Sequence, residues 1–366
     1  MNTVRKNTLR IIAAASAGTA ALVFTGCCGE RETTAEKEER PSPVVAASFI
    51  NADPPYPSCH ASTIAETAQG HLAAAWFGGT HERHPDVGIW FSRFLNGEWI
   101  EPVEVATGEQ EDGDRYPCWN PVLFQPPEAD LHLFYKVGPN PREWWGMVMR
   151  SSDGGETWSE PERLPDGIVG PVKNRPEVLA DGTWLSPSSS EADGWRLHFE
   201  RSRDGGRTWE HIGPVDPGRN MDAIQPSLLI HDDITLQAVC RTRQGAIGTS
   251  WSFDAGETWT PVGAIELPNP NSGTDAVTLA DGRHLIVYNH DATSIERSDK
   301  GVRYPLNLAI SRNGLKWEPV YVVESQPNRA GYAYPSLIQA SDGMVHITYT
   351  WNRDLIKHVV VDPSKL

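Results

Sequence analysis

The chain is short of cysteine and has none in a metal-binding pattern. Five of its 366 residues are cysteine, with no CxxC pair and no zinc-type spacing. Beyond Cys27 and Cys28 only Cys59, Cys118 and Cys240 remain. Cys59 and Cys118 either bridge in an oxidising compartment or pack as small apolar side chains. The apolar run Ile11–Phe24 covers 14 residues, fewer than the roughly 20 that a membrane-spanning helix needs. Positive charge is also scarce: 32 Lys and Arg face 48 Asp and Glu, a formal charge of −16. Such a surface repels nucleic acid and anionic membranes.

The first residues read as a targeting segment. Arg5, Lys6 and Arg10 precede the Ala-rich apolar run, which ends in Phe24-Thr25-Gly26-Cys27. This is the pattern of a secretory signal over residues 1–26. The Thr-Gly-Cys ending resembles a bacterial lipoprotein signal, with Cys27 lipidated as the new N-terminus; an ordinary secretory signal is the alternative. Either reading places the protein outside the cytoplasm, and any membrane contact is expected through the lipid alone. Removing residues 1–26 takes away three basic residues and no acid, leaving 29 basic against 48 acidic side chains, or −19. Residues 27–43, charged and then Pro-rich, read as a flexible tether. Residues 44–366 are left for one domain.

What the chain has in abundance is one repeated box. Ser-x-Asp-x-Gly-x-x-Trp occurs at Ser151–Trp158, Ser202–Trp209 and Ser252–Trp259, with a worn copy at Ser311–Trp317 and a vestige ending at Trp99. The five tryptophans step by 59, 51, 50 and 58 residues, a period that in a strand-rich chain marks propeller blades. Between the boxes lie six β-hairpins, beginning at His60, Asn120, Arg175, Gln225, Asp275 and Tyr334. Adding the strands before and after each box gives four strands per unit. The expected fold is an all-β, six-bladed propeller of four-stranded antiparallel blades. The last unit stops after its third strand, so the apolar stretch Val44–Ile50 is the expected donor of the fourth, since an open edge would invite pairing. The box aspartates 153, 204 and 254 are expected to hold turns by accepting backbone N–H groups.

Strand direction sorts side chains onto faces. The boxes share one face; the starts of first strands, ends of second strands and starts of third strands share the other. On that face the alignment puts His60, Asn120, Arg175, Gln225, Asp275 and Tyr334 around the axis, a convergence of ionisable groups that reads as a site. Second strands add Lys136, Arg241, Asn289 and His290. Third strands add Asp86, Trp144, Trp145, Trp195, Arg196 and Arg303. The loop Gly78–Asp86, containing Glu82, is rich in glycine and ionisable groups. Trp144 or Trp145 could stack on a sugar, the other being blade core. Arginine forks in an acidic protein suit a carboxylate, so an acidic sugar is the expected ligand. His60, Asp275 and His290 could meet at a metal, but no spacing supports one. No cofactor and no partner besides the glycan are expected, and the protein is expected to be a monomer.

These residues resemble the sialidase family, the Asp-box or bacterial-neuraminidase-repeat six-bladed propellers, over about residues 55–362. The resemblance implies that Tyr334 in GYAYPSL is the nucleophile. It implies that Arg241 in AVCRT and Arg303 in GVRYPLN bind the carboxylate, and that Glu82 or Asp86 is the acid/base. Asn120, Arg175, Lys136, Gln225 and Trp144 would contact substrate. Two positions depart from the family: His60 stands where its first arginine would be, and Gln225 where a glutamate would activate the tyrosine. Asp275 is then a candidate base. Besides exo-hydrolysis, a uronate lyase using His60 and Tyr334, or a non-catalytic glycan-binding surface protein, fits the same residues.

Overall fold

In the computed structural model, residues 41–292 and 301–366 are described; Cys27, the signal segment and the tether up to residue 40 lie outside them. Among the described residues twenty-five strands form six antiparallel sheets, each led by a hairpin foreseen in the sequence. After β1 (Val44–Phe49), the first blade is β2 (Ser58–Glu66), β3 (Leu72–Gly79) and β4 (Gly88–Leu95), with β5 (Glu98–Trp99) and β6 (Val103–Ala106) both on β4. The second is β7 (Cys118–Phe124), β8 (Leu131–Val137), β9 (Trp145–Ser151) and β10 (Glu162–Arg163). The third is β11 (Glu177–Val178), β12 (Trp184–Ser190), β13 (Arg196–Ser202) and β14 (Glu210–Ile212). The fourth is β15 (Ala223–Ile230), β16 (Leu236–Thr242), β17 (Ala246–Ser252) and β18 (Gly263–Pro268). The fifth is β19 (Asp275–Thr278), β20 (His284–Asn289), β21 (Leu306–Ser311) and β22 (Glu318–Glu324).

The sixth blade closes the ring. Its own strands are β23 (Tyr332–Gln339), β24 (Val345–Trp351) and β25 (Leu355–Val361), and β1 supplies the fourth. Val44 pairs with Val361 and Phe49 with Lys357, so no long edge is left unpaired at the junction of the chain's two ends. The contacts of this blade reach a little before the expected boundary at 44: the Ser42 hydroxyl bonds Tyr321 Oη, and the Pro43 carbonyl accepts from Asp362 N.

Burial follows position within each blade. The inner β8 is buried along its whole length whereas the edge strand β10 is exposed. Inner strands are covered on both faces, which explains their near-continuous apolar runs. The box works as a turn clamp. Asp153 Oδ1 accepts from Ser151 Oγ and the Glu156 and Thr157 amides, while Oδ2 accepts from Thr157 Oγ1. Asp204 and Asp254 repeat the pattern. These bonds hold the Asp204 carboxyl down at about 2, led by the Thr208 hydroxyl. At Gly155, with φ of +88°, a Cβ would collide with the Phe91 ring of the preceding blade, so the box can sit there only with glycine. Cys59 and Cys118 are separately buried and unbridged, and burial pushes both thiols up.

Two histidine relays cross blade boundaries. Trp99 Nε1 donates to His358 Nδ1, which fixes the His358 proton on Nε2 for donation to His346 Nδ1; His346 Nε2 then faces Asp342. His284 and His231 form a second relay between Thr278 and Gln237. Burial is the main cause holding His358 down to about 3 and His284 to about 4. Both native values lie below the unfolded value near 6.5. The neutral forms therefore contribute stability that is complete above about pH 6.5 and is lost as pH falls toward the native values. Thermal melts should thus lose midpoint between about pH 6.5 and 4, and His284→Gln should reduce that slope; a midpoint flat across this window would contradict the assignment.

Candidate active site

The axial rim is built by a bend in the inner strands. Pairing slips between His60 and Thr63, Trp119 and Val122, Ile224 and Ser227, and Ala333 and Ser336. In each slip one residue takes a left-handed backbone: Ala61 (φ 56°), Asn120 (37°), Gln225 (59°) and Tyr334 (50°). Such bulges re-aim side chains, and left-handed non-glycine residues concentrate at functional sites. Asn120, Gln225 and Tyr334 thus share the rim as the sequence alignment has them. The other three members of that alignment require correction.

His60 lies one residue before its blade's rim position, yet its ring still packs against Tyr334, tilted at 49° with centroids 4.3 Å apart. Arg175 lies two residues too deep. Its guanidinium bonds Glu177 at 2.8 Å and the Leu337 carbonyl at 3.0 Å, in a cavity of about 480 Å³ on the box face. Lys173 and Asn174 reach the rim instead: Lys173 Nζ donates to the Pro335 carbonyl at 2.6 Å, and Asn174 Nδ2 to the Gln225 carbonyl at 3.1 Å. The Arg-Pro dipeptide mimics Asn-Pro, Gln-Pro and Tyr-Pro and so hides this register. Asp275 is also two residues deep, and Gly273 stands at the rim, where a Cβ would press on Lys173 and Tyr334.

Asp275 is a structural tie, not a base. It is 2 % exposed. Oδ1 accepts from Ser227 Oγ at 2.8 Å and Ala276 N at 2.9 Å, and Oδ2 from Leu337 N at 2.9 Å, joining the fourth, fifth and sixth blades. Lys136 likewise drops out as a substrate contact: it is fully buried, its ammonium bonds the Pro171 carbonyl, and burial lowers it to about 7. Asn289 also turns inward, donating to the Tyr332 and Pro305 carbonyls.

Around Tyr334 the groups are mostly cationic. Tyr334 Oη accepts from Arg241 NH1 at 2.8 Å and from Gln225 Nε2 at 3.2 Å. Arg241 is itself fixed by Asn271 Oδ1 at 2.7 Å and by the Trp195 ring at 4.8 Å. The Arg303 guanidinium lies 5.5 Å, and the Lys173 ammonium 5.9 Å, from the Tyr334 ring centre. Burial lowers Lys173 to about 8 and Arg303 to about 10. His60 is pushed well down, first by burial and then by Arg353, Arg303, Arg241 and Lys173. It is therefore neutral. Arg303 NH1 faces its Nε2 at 3.4 Å, so that nitrogen carries the lone pair, and Nδ1–H faces Thr350 Oγ1 at 3.0 Å.

Arg353 was not singled out from the sequence. It occupies the turn between β24 and β25, with Asn352 and Arg353 both left-handed. It shares with Arg303 and Arg329 a cavity of about 550 Å³. The strand-direction rule puts this turn on the site face, and that was the available signal. Arg353 NH1 pairs with Glu82 Oε2 at 2.7 Å. Burial raises the Glu82 carboxyl, but Arg353, Arg303 and Arg83 outweigh it and hold it ionised. Asp86 instead turns back on its own loop, accepting from Thr80 N and Oγ1 and lying 2.7 Å from His84. Trp145 packs against the blade core, while Trp144 lines a neighbouring cavity.

The six-bladed propeller defines a class of protein, and comparison with known proteins agrees on that fold. Residues 70–347 match the BNR repeat-like domain, and the chain belongs to that family. It is similar to the anhydrosialidase of the leech Macrobdella decora, with 23 % identity over 255 residues, which cover 62 % of this chain and 33 % of the relative. The match thus spans about a third of that relative's length. Among solved structures, a Dyadobacter fermentans protein of unknown function superposes with a TM-score of 0.71 at 16 % identity, covering 87 % of this chain and 98 % of the other. The intramolecular trans-sialidase of Ruminococcus gnavus gives 0.68 at 14 %, with 88 % and 98 % covered. The NanB sialidase of Streptococcus pneumoniae gives 0.68 at 13 %, with 89 % and 71 % covered. These structural likenesses establish the fold.

If Asp275 is a tie, Asp275→Ala leaves the Leu337 amide and the Ser227 hydroxyl without their partner. It should lower unfolding stability by roughly 3 kcal/mol in denaturant melts. A change under about 0.5 kcal/mol would argue against the tie.

Proposed function

We propose that the protein is a sialidase-like exo-glycosidase that releases a terminal acidic sugar from a glycan. The observation that carries this is Tyr334 Oη, which receives hydrogen bonds from Arg241 and Gln225 between the flanking cations Arg303 and Lys173. Donors aimed at a phenolic oxygen stabilise the negative charge it gains as its proton leaves, ahead of attack. The same guanidinium groups, together with Arg353, suit a sugar carboxylate. A tyrosine nucleophile adds no anion of its own against that carboxylate.

In this reading Arg303 turns from His60 Nε2 to the sugar carboxylate, which frees that lone pair; Tyr334 Oη then bonds to the anomeric carbon as its proton passes to His60 Nε2, the role Gln225 cannot fill. The glycosidic oxygen leaves with a proton from Glu82. Glu82 cannot donate while Arg353 holds it ionised. When Arg353 turns to the substrate carboxylate, Glu82 loses its ion pair, burial then opposes only the more weakly acting Arg303 and Arg83, and the affinity of Glu82 for a proton rises. Water then cleaves the tyrosyl intermediate. From the sequence pattern of residues 1–26 and Cys27, the protein is proposed to work outside the cytoplasm, carried on a lipid at Cys27.

One observation favours a second reading. His60 is neutral and packs against the Tyr334 ring, and no carboxylate bonds Tyr334 Oη among the described residues. A base of that kind beside a tyrosine could instead drive elimination across a uronate. Purified protein should be incubated with sialosides and with uronate oligosaccharides. Release of a free acidic sugar, with kcat lowered about a thousandfold by Tyr334→Phe and KM raised at least about tenfold by Arg353→Ala, is the expected result. An ultraviolet-absorbing unsaturated product would establish the elimination instead. No turnover of either class, or turnover indifferent to Tyr334→Phe, would defeat both.

A further inference from the structure

Three large apolar side chains stand exposed on the box face, at positions that the other blades fill differently. Phe253 and Leu315 are each 62 % exposed and Ile234 is 56 % exposed. Phe253 takes the second position of the fourth blade's box, where Ser152, Arg203 and Arg312 stand in the other boxes. Leu315 follows the glycine of the fifth blade's box, where Glu156, Arg207 and Glu257 stand elsewhere. Ile234 lies in the turn between β15 and β16, and none of the other five hairpin turns exposes a large apolar side chain. The box is held by its Ser and its Asp or Asn, bonded to backbone amides and a threonine hydroxyl. The turn itself therefore does not call for Phe253 or Leu315.

The three side chains belong to one patch. Ala255 N donates to the Ile234 carbonyl at 2.9 Å, which joins the box turn to the hairpin turn. The Phe253 ring lies parallel to that of Trp251, with centroids 6.2 Å apart, and Trp251 packs on His231. The fifth blade's box reaches the same histidine: a Cβ at Gly314, the residue before Leu315, would meet the His231 ring. Asp233 and Lys316, next to Ile234 and Leu315, are opposite in sign. Asp232 is taken up by the Ile234 and Thr235 amides, and Glu257 by Arg201 and Arg203. The patch is thus apolar and nearly uncharged, on a chain that carries −16. Exposure of this kind marks a contact surface.

The course of the chain says what covers it. β25 starts on the site face after Arg353, so its far end Val361, and Val44 paired with it, lie on the box face. Ser42 Oγ bonds Tyr321 Oη in β22. The chain thus enters the propeller on the face of the patch and beside the fifth blade, which carries Leu315. Cys27 lies 14 residues before Pro41, a length that spans at most about 50 Å. A lipid at Cys27 keeps this face within that reach of a bilayer, at an effective concentration that lets a weak contact form. We propose that the patch is a membrane-contact surface: Ile234, Phe253 and Leu315 enter the interface of a zwitterionic bilayer, and the Tyr334 site, on the opposite face, is turned away from the membrane. The negative charge of the whole chain disfavours an anionic lipid surface. The inference rests on the lipid at Cys27 proposed above and not on the reaction proposed at Tyr334.

The test mixes the full-length chain, anchored at Cys27, with vesicles of phosphatidylethanolamine and phosphatidylcholine that include a diazirine-bearing phosphatidylcholine. Light-driven crosslinks are mapped by mass spectrometry, which also reads native acylation of Cys27. Where no acyl chain is found, a maleimide-bearing lipid coupled to Cys27 in a Cys28→Ser chain supplies the anchor. Crosslinks are expected at Ile234, Phe253 and Leu315, at least about fivefold above those at Arg142 and Glu143 on the site face. Phe253→Asp with Leu315→Asp should remove that excess while the anchored protein stays on the vesicles. Ile234→Asp, in a separate turn, should lower it too, and thermal melts check the folding of both variants. Crosslinks spread evenly over both faces, concentrated on the site face, or unchanged by these substitutions would overturn the proposal. So would a dimer in the absence of vesicles that Phe253→Asp with Leu315→Asp splits, since the patch would then join two copies of the chain. The expected crosslinks with the coupled lipid, but no native acylation, would keep the contact surface and remove the lipid anchor.

Discussion

Six inner strands converge on one axis, and the space there admits only a narrow ring of side chains. The chain meets this constraint by breaking the pairing of the inner hairpins just before they arrive. In four blades the break leaves a left-handed residue, at Ala61, Asn120, Gln225 and Tyr334. The bulge that lets the strands share the axis is what presents Tyr334 to the site. The bent segments are held by side chains from other blades: Thr350 takes the Ala61 amide, Ser189 that of Gln225, and Lys173 the Pro335 carbonyl. Geometry at the centre therefore depends on the whole ring being closed.

Electrostatics divides the molecule sharply. The chain carries −16 overall, yet its centre gathers Lys173, Arg241, Arg303 and Arg353. Close packing of cations is tolerable because burial lowers Lys173 and Arg303, His60 stays neutral, and Glu82 balances Arg353. A small anion approaching the site must cross a repulsive outer field to reach an attractive core. That contrast favours ligands whose charge is confined to one end and whose remainder is neutral.

The period of the box and the alternation of the hairpins made blade number, blade order and closure by β1 legible, because each is a local pattern repeated at fixed spacing. The face carrying the site was also legible, since strand direction alone sets it. Depth along the strand was not. An X-Pro dipeptide looks the same whether it sits on the rim, as at Tyr334-Pro335, or two residues below it, as at Arg175-Pro176, and the bulges shift the count by one. Lys173 was missed for that reason, and Arg175 and Asp275 were placed too high. Pairing was equally invisible: nothing in the sequence says that Glu82 meets Arg353, 271 residues away, or that Lys136 is fully enclosed.

The strand that closes the ring has a consequence for the order in which the molecule is made. Val44 pairs with Val361, so the first strand to leave the ribosome waits for the last strand of the propeller. Until then the row of blades already formed presents two uncovered ends, and β1 has nowhere to dock. Pairing across so long a stretch of chain is slow, and exposed edges are vulnerable while it is pending. Closure is thus a late event on which part of the centre waits: the supports that tie the sixth blade to the first and third, Thr350 to the Ala61 amide and Lys173 to the Pro335 carbonyl, form only as the circle is completed.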